Sequence, residues 1–88
     1  MMFVVLCYDV EESRCKAVRK TVCKYLRPTQ KTVLEGYLTE KQVEALKREL
    51  QDRIHTDKDS VVLYKYVPGG YFTKEEIGVR GTADPRFL

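Results

Sequence analysis

An apolar run at residues 3–8, two helical repeats separated by an extended stretch, and a second apolar run at residues 61–67 predict an α+β chain of ferredoxin-like βαββαβ order. Such a chain folds as a sandwich, with helices on one face of a mostly antiparallel sheet, here followed by a short C-terminal strand extension. Eighty-eight residues allow one domain with one modest core. A chain of that size commonly gains stability by burying surface in a partner, so a homodimer is expected. The core is assigned to residues 1–67, and residues 68–88 are an extension expected to pair at the dimer interface.

The first strand, residues 3–8, is nearly continuous in apolar side chains and reads as a central strand buried on both faces. Glu11, Glu12 and Ser13 then supply acid and a candidate N-cap for a helix over residues 14–26. Its apolar stripe is Val18, Val22, Tyr25 and Leu26. Its polar face carries Lys16, Lys20, Lys24 and Arg27 at helical spacing, with Arg14 and Arg19 at the flank. Pro28 ends that helix. Residues 30–38 read as one irregular strand or two short ones, packed through Val33, Leu34, Tyr37 and Leu38, with Gly36 at a bulge or close contact.

Thr39 and Gln42 form a capping box that opens a second helix, whose inner stripe is Val43, Leu46, Leu50 and Ile54. On its outer side Glu44 with Arg48, and Glu49 with Arg53, are spaced as i,i+4 pairs, which describes a solvated support. Residues 57–59 read as a charged turn before the strand at residues 61–67, and Pro68, Gly69 and Gly70 end that strand. Beyond them lie two brief apolar pieces, residues 71–72 and 77–79, expected as edge strands added to a second protomer's sheet.

Composition narrows the function classes. Sixteen Lys and Arg against thirteen Asp and Glu leave a charge of +3, which permits a polyanionic partner without demanding one. Cys7, Cys15 and Cys23 are odd in number and lack the close pairing of a zinc site, so they read as packing residues of a reducing compartment. The opening apolar segment meets Asp9 before reaching signal-peptide or membrane-spanning length, so a cytoplasmic protein with no membrane association is expected. His55 is the sole histidine and has no second histidine with which to build a relay or metal cluster.

Chemistry concentrates at Tyr8 and Asp9. A carboxylate at the C-terminal edge of the first strand stands where metal or phosphate chemistry is built, although an Asp there also serves as a simple turn or cap. Hydrolysis of a phosphodiester with a hard cation needs oxygen ligands, an activated water and compensation of phosphate charge. One chain offers Asp9 and little else. A symmetric dimer doubles it, and two close carboxylates repel unless a proton or metal lies between them, so the pair is a candidate Mg2+ site. Tyr8 either orients a phosphate or packs. The cations of the first helix read as a solvated face or as a contact to sugar-phosphate backbone, with Arg14, then Lys16, as the preferred phosphate clamp. Tyr64 and Tyr66 read as core or dimer packing and lack the pattern of an RNA-recognition sheet. A phosphatase is disfavoured because the chain contains no asparagine and lacks an evident phosphate-cradling loop after the first strand.

The residues Val4-Val5-Leu6-Cys7-Tyr8-Asp9-Val10, the basic helix, the stretch Gln30-Lys31-Thr32-Val33-Leu34-Glu35-Gly36-Tyr37-Leu38-Thr39 and the strand Asp59-Ser60-Val61-Val62-Leu63-Tyr64-Lys65-Tyr66 together resemble the CRISPR-associated Cas2 family. The resemblance covers nearly all of the first 67 residues. It implies a ferredoxin-like homodimer with sheets packed face to face, an Asp9 from each subunit at the dimer axis, and Mg2+ between them. It also implies endonuclease activity on single-stranded RNA or double-stranded DNA, and a partnership with the adaptation integrase (Cas1) in spacer acquisition. In that picture Asp9 and Tyr8 are the catalytic residues, Asp9 is the metal ligand, and Arg14, Lys16, Arg19, Lys20, Lys24 and Arg27 bind nucleic acid. Thr32 and Leu34 stand where the family usually has Ser and Phe, so a hydroxyl is kept and an aromatic face that could stack on a base is lost. The alternatives are a catalytically inactive structural adaptor for integration and a toxin-like ribonuclease on the same scaffold.

Overall fold

Alternation along the first strand decides the layout of the molecule. In β1 (Met2–Asp9), Met2, Val4, Leu6 and Tyr8 turn into the core, while Phe3, Val5 and Cys7 are half-buried on the opposite face. The helices pack on one side of this central strand, as expected, and its other side, expected to be buried too, is half-buried within one chain. The computed structural model describes residues 1–78, which continue as α1 (Glu12–Val22), β2 (Arg27–Gln30), β3 (Val33–Leu38), α2 (Glu40–Arg53), β4 (Ser60–Val67) and β5 (Tyr71–Gly78). The strands form one sheet in the order β2-β3-β1-β4-β5 with every neighbour antiparallel, the expected ferredoxin-like sandwich with one added strand.

The core joins Val18 and Val22 of α1 and Val43, Leu46 and Leu50 of α2 to Leu6, Leu34 and Leu63 of the sheet. The first helix is shorter than its stripe suggested, because it ends at Val22 with Cys23 as its C-cap. Tyr25 and Leu26 nevertheless reach their places: both backbone N–H groups donate to the Val22 carbonyl at 2.9 Å, so a tight turn carries them onward and Leu26 is buried. Pro28 lies inside β2, an exposed edge strand where a missing N–H is tolerated. The ladder irregularity falls between Pro28 and Gln30, whereas Gly36 is the close contact, since a Cβ there would stand 3.2 Å from Leu26 Cδ2. Leu34 is fully buried, so an aromatic ring at that position would enter the core and would not face a base.

The capping box forms as spaced: the Gln42 N–H donates to Thr39 Oγ1 at 3.2 Å and the Thr39 N–H to Gln42 Oε1 at 2.8 Å. The outer pairs of α2 differ from the i,i+4 expectation. Glu49 accepts from Lys24 and Tyr25 of the turn that follows α1, and Glu44 takes Lys47, so α2 braces that turn as well as facing solvent. The tail pieces are one continuous strand. β5 pairs with β4 of the same chain from Ser60 opposite Gly78 to Val67 opposite Tyr71, with Pro68, Gly69 and Gly70 making the hairpin turn. Lys47 and Lys65 both bind Glu75, tying β5 to α2 and β4. Burial pushes the Glu75 carboxyl up, but these two hydrogen bonds outweigh it and hold it below its ordinary range. Val79 and the rest of the extension lie outside the described residues.

Candidate nucleic-acid interface

Asp9 ends β1 exposed, opposite Ser60 of β4 and in the register that carries Phe3, Val5 and Cys7 on the face without helices. Tyr8 points the other way. Its ring is buried in the core beneath the helices and its hydroxyl donates to the Lys31 carbonyl at 3.3 Å. The pair singled out by sequence is thus split across the sheet, and the two side chains do not share a site within one chain.

What fixes the chain just after Asp9 is Asp59, a residue the sequence placed in a charged turn. Its side chain is fully buried and accepts from four donors. Arg14 donates through Nε at 2.5 Å and Nη2 at 2.8 Å, the Glu11 N–H at 3.1 Å and the His55 N–H at 2.9 Å. Glu11 is the N-cap of α1 but its own side chain makes no capping bond, and Asp59 places a carboxylate at that positive helix end instead. The Arg14 hydrogen bonds hold the Asp59 carboxyl far below the carboxylate range against burial, which pushes it up; the backbone N–H bonds of His55 and Glu11 add to the lowering. The same contact holds the Arg14 guanidinium further above its ordinary range. A signal for this node exists in the register: once β1 pairs with β4, residue 59 lies beside the loop that follows Asp9.

The six cations proposed to bind nucleic acid separate into five environments. Arg14 is held by Asp59 and Glu11. Arg19 donates through Nη1 to the Lys31 carbonyl at 2.9 Å. Lys24 lies past the helix end and is bridged to Glu49, whose carboxyl is held low first by Lys24 and then by Tyr25. Arg27 starts β2 opposite Glu35. Lys16 and Lys20 are exposed on α1 and, among the described residues, have no acidic partner. Lys20 and Lys24 also flank a groove between the helices with Arg53, which supplies a third cation from α2.

The face without helices carries a row of aromatic rings. Phe3 lies 5.2 Å from Tyr37 and 6.3 Å from Tyr66, and Phe72 lies 4.8 Å from Tyr66, between ring centroids. Tyr37, Tyr66 and Phe72 are each at least half exposed. Toward Asp9 the same face continues through Val5, Cys7, Val33 and Val62, all half-buried. Burial pushes the Cys7 thiol up, which makes it a packing group and a poor nucleophile.

Residues 2–74 match the family model described as CRISPR associated protein Cas2. The chain belongs to the Cas2 family. It is 38% identical over 78 residues to the CRISPR-associated endoribonuclease Cas2 of Dictyoglomus turgidum, covering 89% of this chain and 90% of that one. It is 37% identical over 83 residues to the CRISPR-associated endoribonuclease Cas2 of Thermotoga maritima, covering 94% and 95%. A crystal structure of Cas2 superposes with a TM-score of 0.71 at 32% identity over 94% of this chain and 92% of that one. Streptococcus pyogenes Cas2 at pH 6.5 gives 0.64 at 28% identity over 78% and 87%. The fold shared with these structures is the sheet with its two helices. Among the described residues no helix is long and apolar enough to cross a membrane.

Proposed function

We propose that this chain acts in CRISPR adaptation as a nucleic-acid-binding homodimer with magnesium-dependent endonuclease activity, centred on an Asp9 from each protomer. One observation carries the proposal: a sheet face left open by the helices holds an apolar strip along β1 and β4, flanked by Glu35, Lys74 and Glu76, and Asp9 stands at its edge in the same register. Packing that face on its twofold copy removes the exposed rings from water. When the axis passes near the end of β1, Val5, Cys7, Val33 and Val62 join the rings in the contact and the two carboxylates approach each other.

A group of three or more possible metal ligands is absent among the described residues of one chain. One or two carboxylates nonetheless fit magnesium, which usually retains waters and completes its shell with substrate phosphates. Bound there, the ion would supply an activated water and neutralise phosphate charge. Asp9 holds the ion, and Lys16 and Lys20 receive the sugar-phosphate backbone of single-stranded RNA or double-stranded DNA. Tyr8, packed beneath the helices, contributes by holding the β2–β3 turn through Lys31. The adaptation integrase, Cas1, is the protein partner in this reading. That Asp9 has no group of further ligands beside it among the described residues also favours a second reading, an adaptor that holds duplex DNA for integration without cutting it.

Wild type and Asp9→Ala are incubated with labelled single-stranded RNA and double-stranded DNA, with magnesium or EDTA. Cleavage that disappears both with EDTA and in the variant is the expected result. Undiminished cleavage by Asp9→Ala overturns the metal site, and duplex binding by both proteins without cleavage establishes the adaptor.

A further inference from the structure

A cleft between α1 and the β2–β3 turn remains unused by this reading. Tyr8 and Cys15 give it an apolar floor and Pro28 an exposed wall on β2, while Lys16, Arg19 and Lys31 line it against the one carboxylate of Glu12. Its volume is about 730 Å³, within the roughly 300–1,000 Å³ typical of clefts that take small ligands. The walls are preset. Arg19 Nη1 and the Tyr8 hydroxyl both donate to the Lys31 carbonyl, at 2.9 and 3.3 Å, which fixes the guanidinium plane and the turn together.

These features select an occupant that is flat and apolar at one end and anionic at the other. A nucleotide unit has that form: its base stacks on a guanidinium or ring, and its phosphate meets the cations. Gln30, exposed at the cleft wall, carries an amide that both donates to and accepts from a base edge. Lys16 belongs both to this lining and to the outer row of α1 that ends at Lys20, so a strand following that row passes the cleft mouth.

We propose that this cleft is a subsite for one unpaired nucleotide of the bound nucleic acid, with the base against Arg19 and Pro28 and the phosphate on Lys16 and Lys31. The inference rests on the nucleic-acid-binding reading above and adds a preference for an unpaired position that backbone contacts alone do not create.

The full-length chain is titrated with two duplexes identical except that one ends blunt and the other carries a single unpaired fluorescent adenine analogue. The unpaired nucleotide is expected to tighten binding by roughly 5- to 150-fold, the range one stacked base contributes, with a change in its fluorescence. Gln30→Ala and Pro28→Ala, both exposed on the edge strand, are expected to abolish that gain and to leave the blunt duplex bound as before. Equal affinity for the two duplexes overturns the subsite while the nucleic-acid reading stands. Binding of neither overturns the nucleic-acid reading, and the subsite with it. In a second measurement, free adenosine monophosphate is expected to shift backbone amide resonances of Cys15, Lys16 and residues 29–32. Equal shifts with inorganic phosphate alone overturn the base-binding role.

Discussion

Replacing Asp59 with Ala tests whether one buried carboxylate holds the start of α1 against the end of α2. The substitution leaves the Glu11 and His55 N–H groups without their acceptor, and Arg14 keeps only Glu11 as an ionic partner. An orphaned donor costs roughly 1–3 kcal/mol, and these two, only part-buried, fall in the lower half of that range, so together they cost about 3 kcal/mol. For a domain of this size about 3 kcal/mol corresponds to a fall in Tm of roughly 12–24 °C. Thermal unfolding followed by circular dichroism at one fixed protein concentration reads it, since dimerisation makes Tm concentration-dependent. A loss of under about 4 °C, the shift that 1 kcal/mol produces, refutes this account of Asp59. The pH dependence has a definite sign. The Asp59 carboxyl is depressed in the folded chain, so the unfolded chain binds the proton first and the stabilisation is complete above the ordinary carboxylate pKa of about 4. It is lost progressively as pH falls below about 4. Asp59→Asn removes that titration, so its stability falls less steeply than the wild type's over the same acid range.

Three further outcomes can be measured. Gly78→Ala places a Cβ 2.0 Å from the Asp59 carbonyl oxygen at a φ of +106°; backbone strain alone costs roughly 1–3 kcal/mol, and faster hydrogen exchange along β5 is expected. Unchanged exchange and Tm would show that the β4–β5 ladder relaxes without loss. Lys20→Ala is expected to lower the slope of log affinity for duplex DNA against log salt by about 0.9, the value of one phosphate contact. Lys24→Ala should lower it less, because that ammonium is bridged to Glu49; equal slopes for the two variants would remove the distinction. Tyr66→Lys sets a charge among Phe3 and Phe72 on the open face, and weaker self-association by about tenfold or more is expected in sedimentation, as for a buried aromatic anchor. Self-association equal to the wild type's would place the dimer contact elsewhere.

Periodicity made most of the architecture legible. The stripe Val43, Leu46, Leu50 and Ile54 and the Thr39 capping box specify α2 locally, and the structure buries or bonds each of them. The basic stripe was harder to read because helical spacing describes a helix only while the helix lasts. α1 stops at Val22, so Lys24 falls in a turn within reach of α2 and Arg27 begins an edge strand. The division of Tyr8 from Asp9 follows from strand alternation, but an uninterrupted apolar run conceals which face receives the helices. Asp59 was illegible for a different reason. Its four donors come from residues 4 to 48 positions away, and only the pairing of β1 with β4 brings the distant ones to it.

That distant pairing also explains how a strand-end carboxylate acquires a fixed position. The backbone of Asp9 is held by its ladder with Ser60, and the chain beyond it is held at once, because the Glu11 N–H and the Arg14 side chain close on Asp59, the neighbour of Ser60. Across the sheet, Gly78 pairs with Ser60 and lies against the Asp59 carbonyl, so the far side of β4 supports the same corner. Asp9 is therefore set by a strand, a helix start and a hairpin end, a rigid mounting of the kind that keeps a ligand or catalytic group in register. Loosening the corner should displace Asp9 without touching it: if the proposed cleavage depends on that mounting, Asp59→Asn will lose activity at temperatures where it is still fully folded. Full activity there would show that the corner serves stability alone.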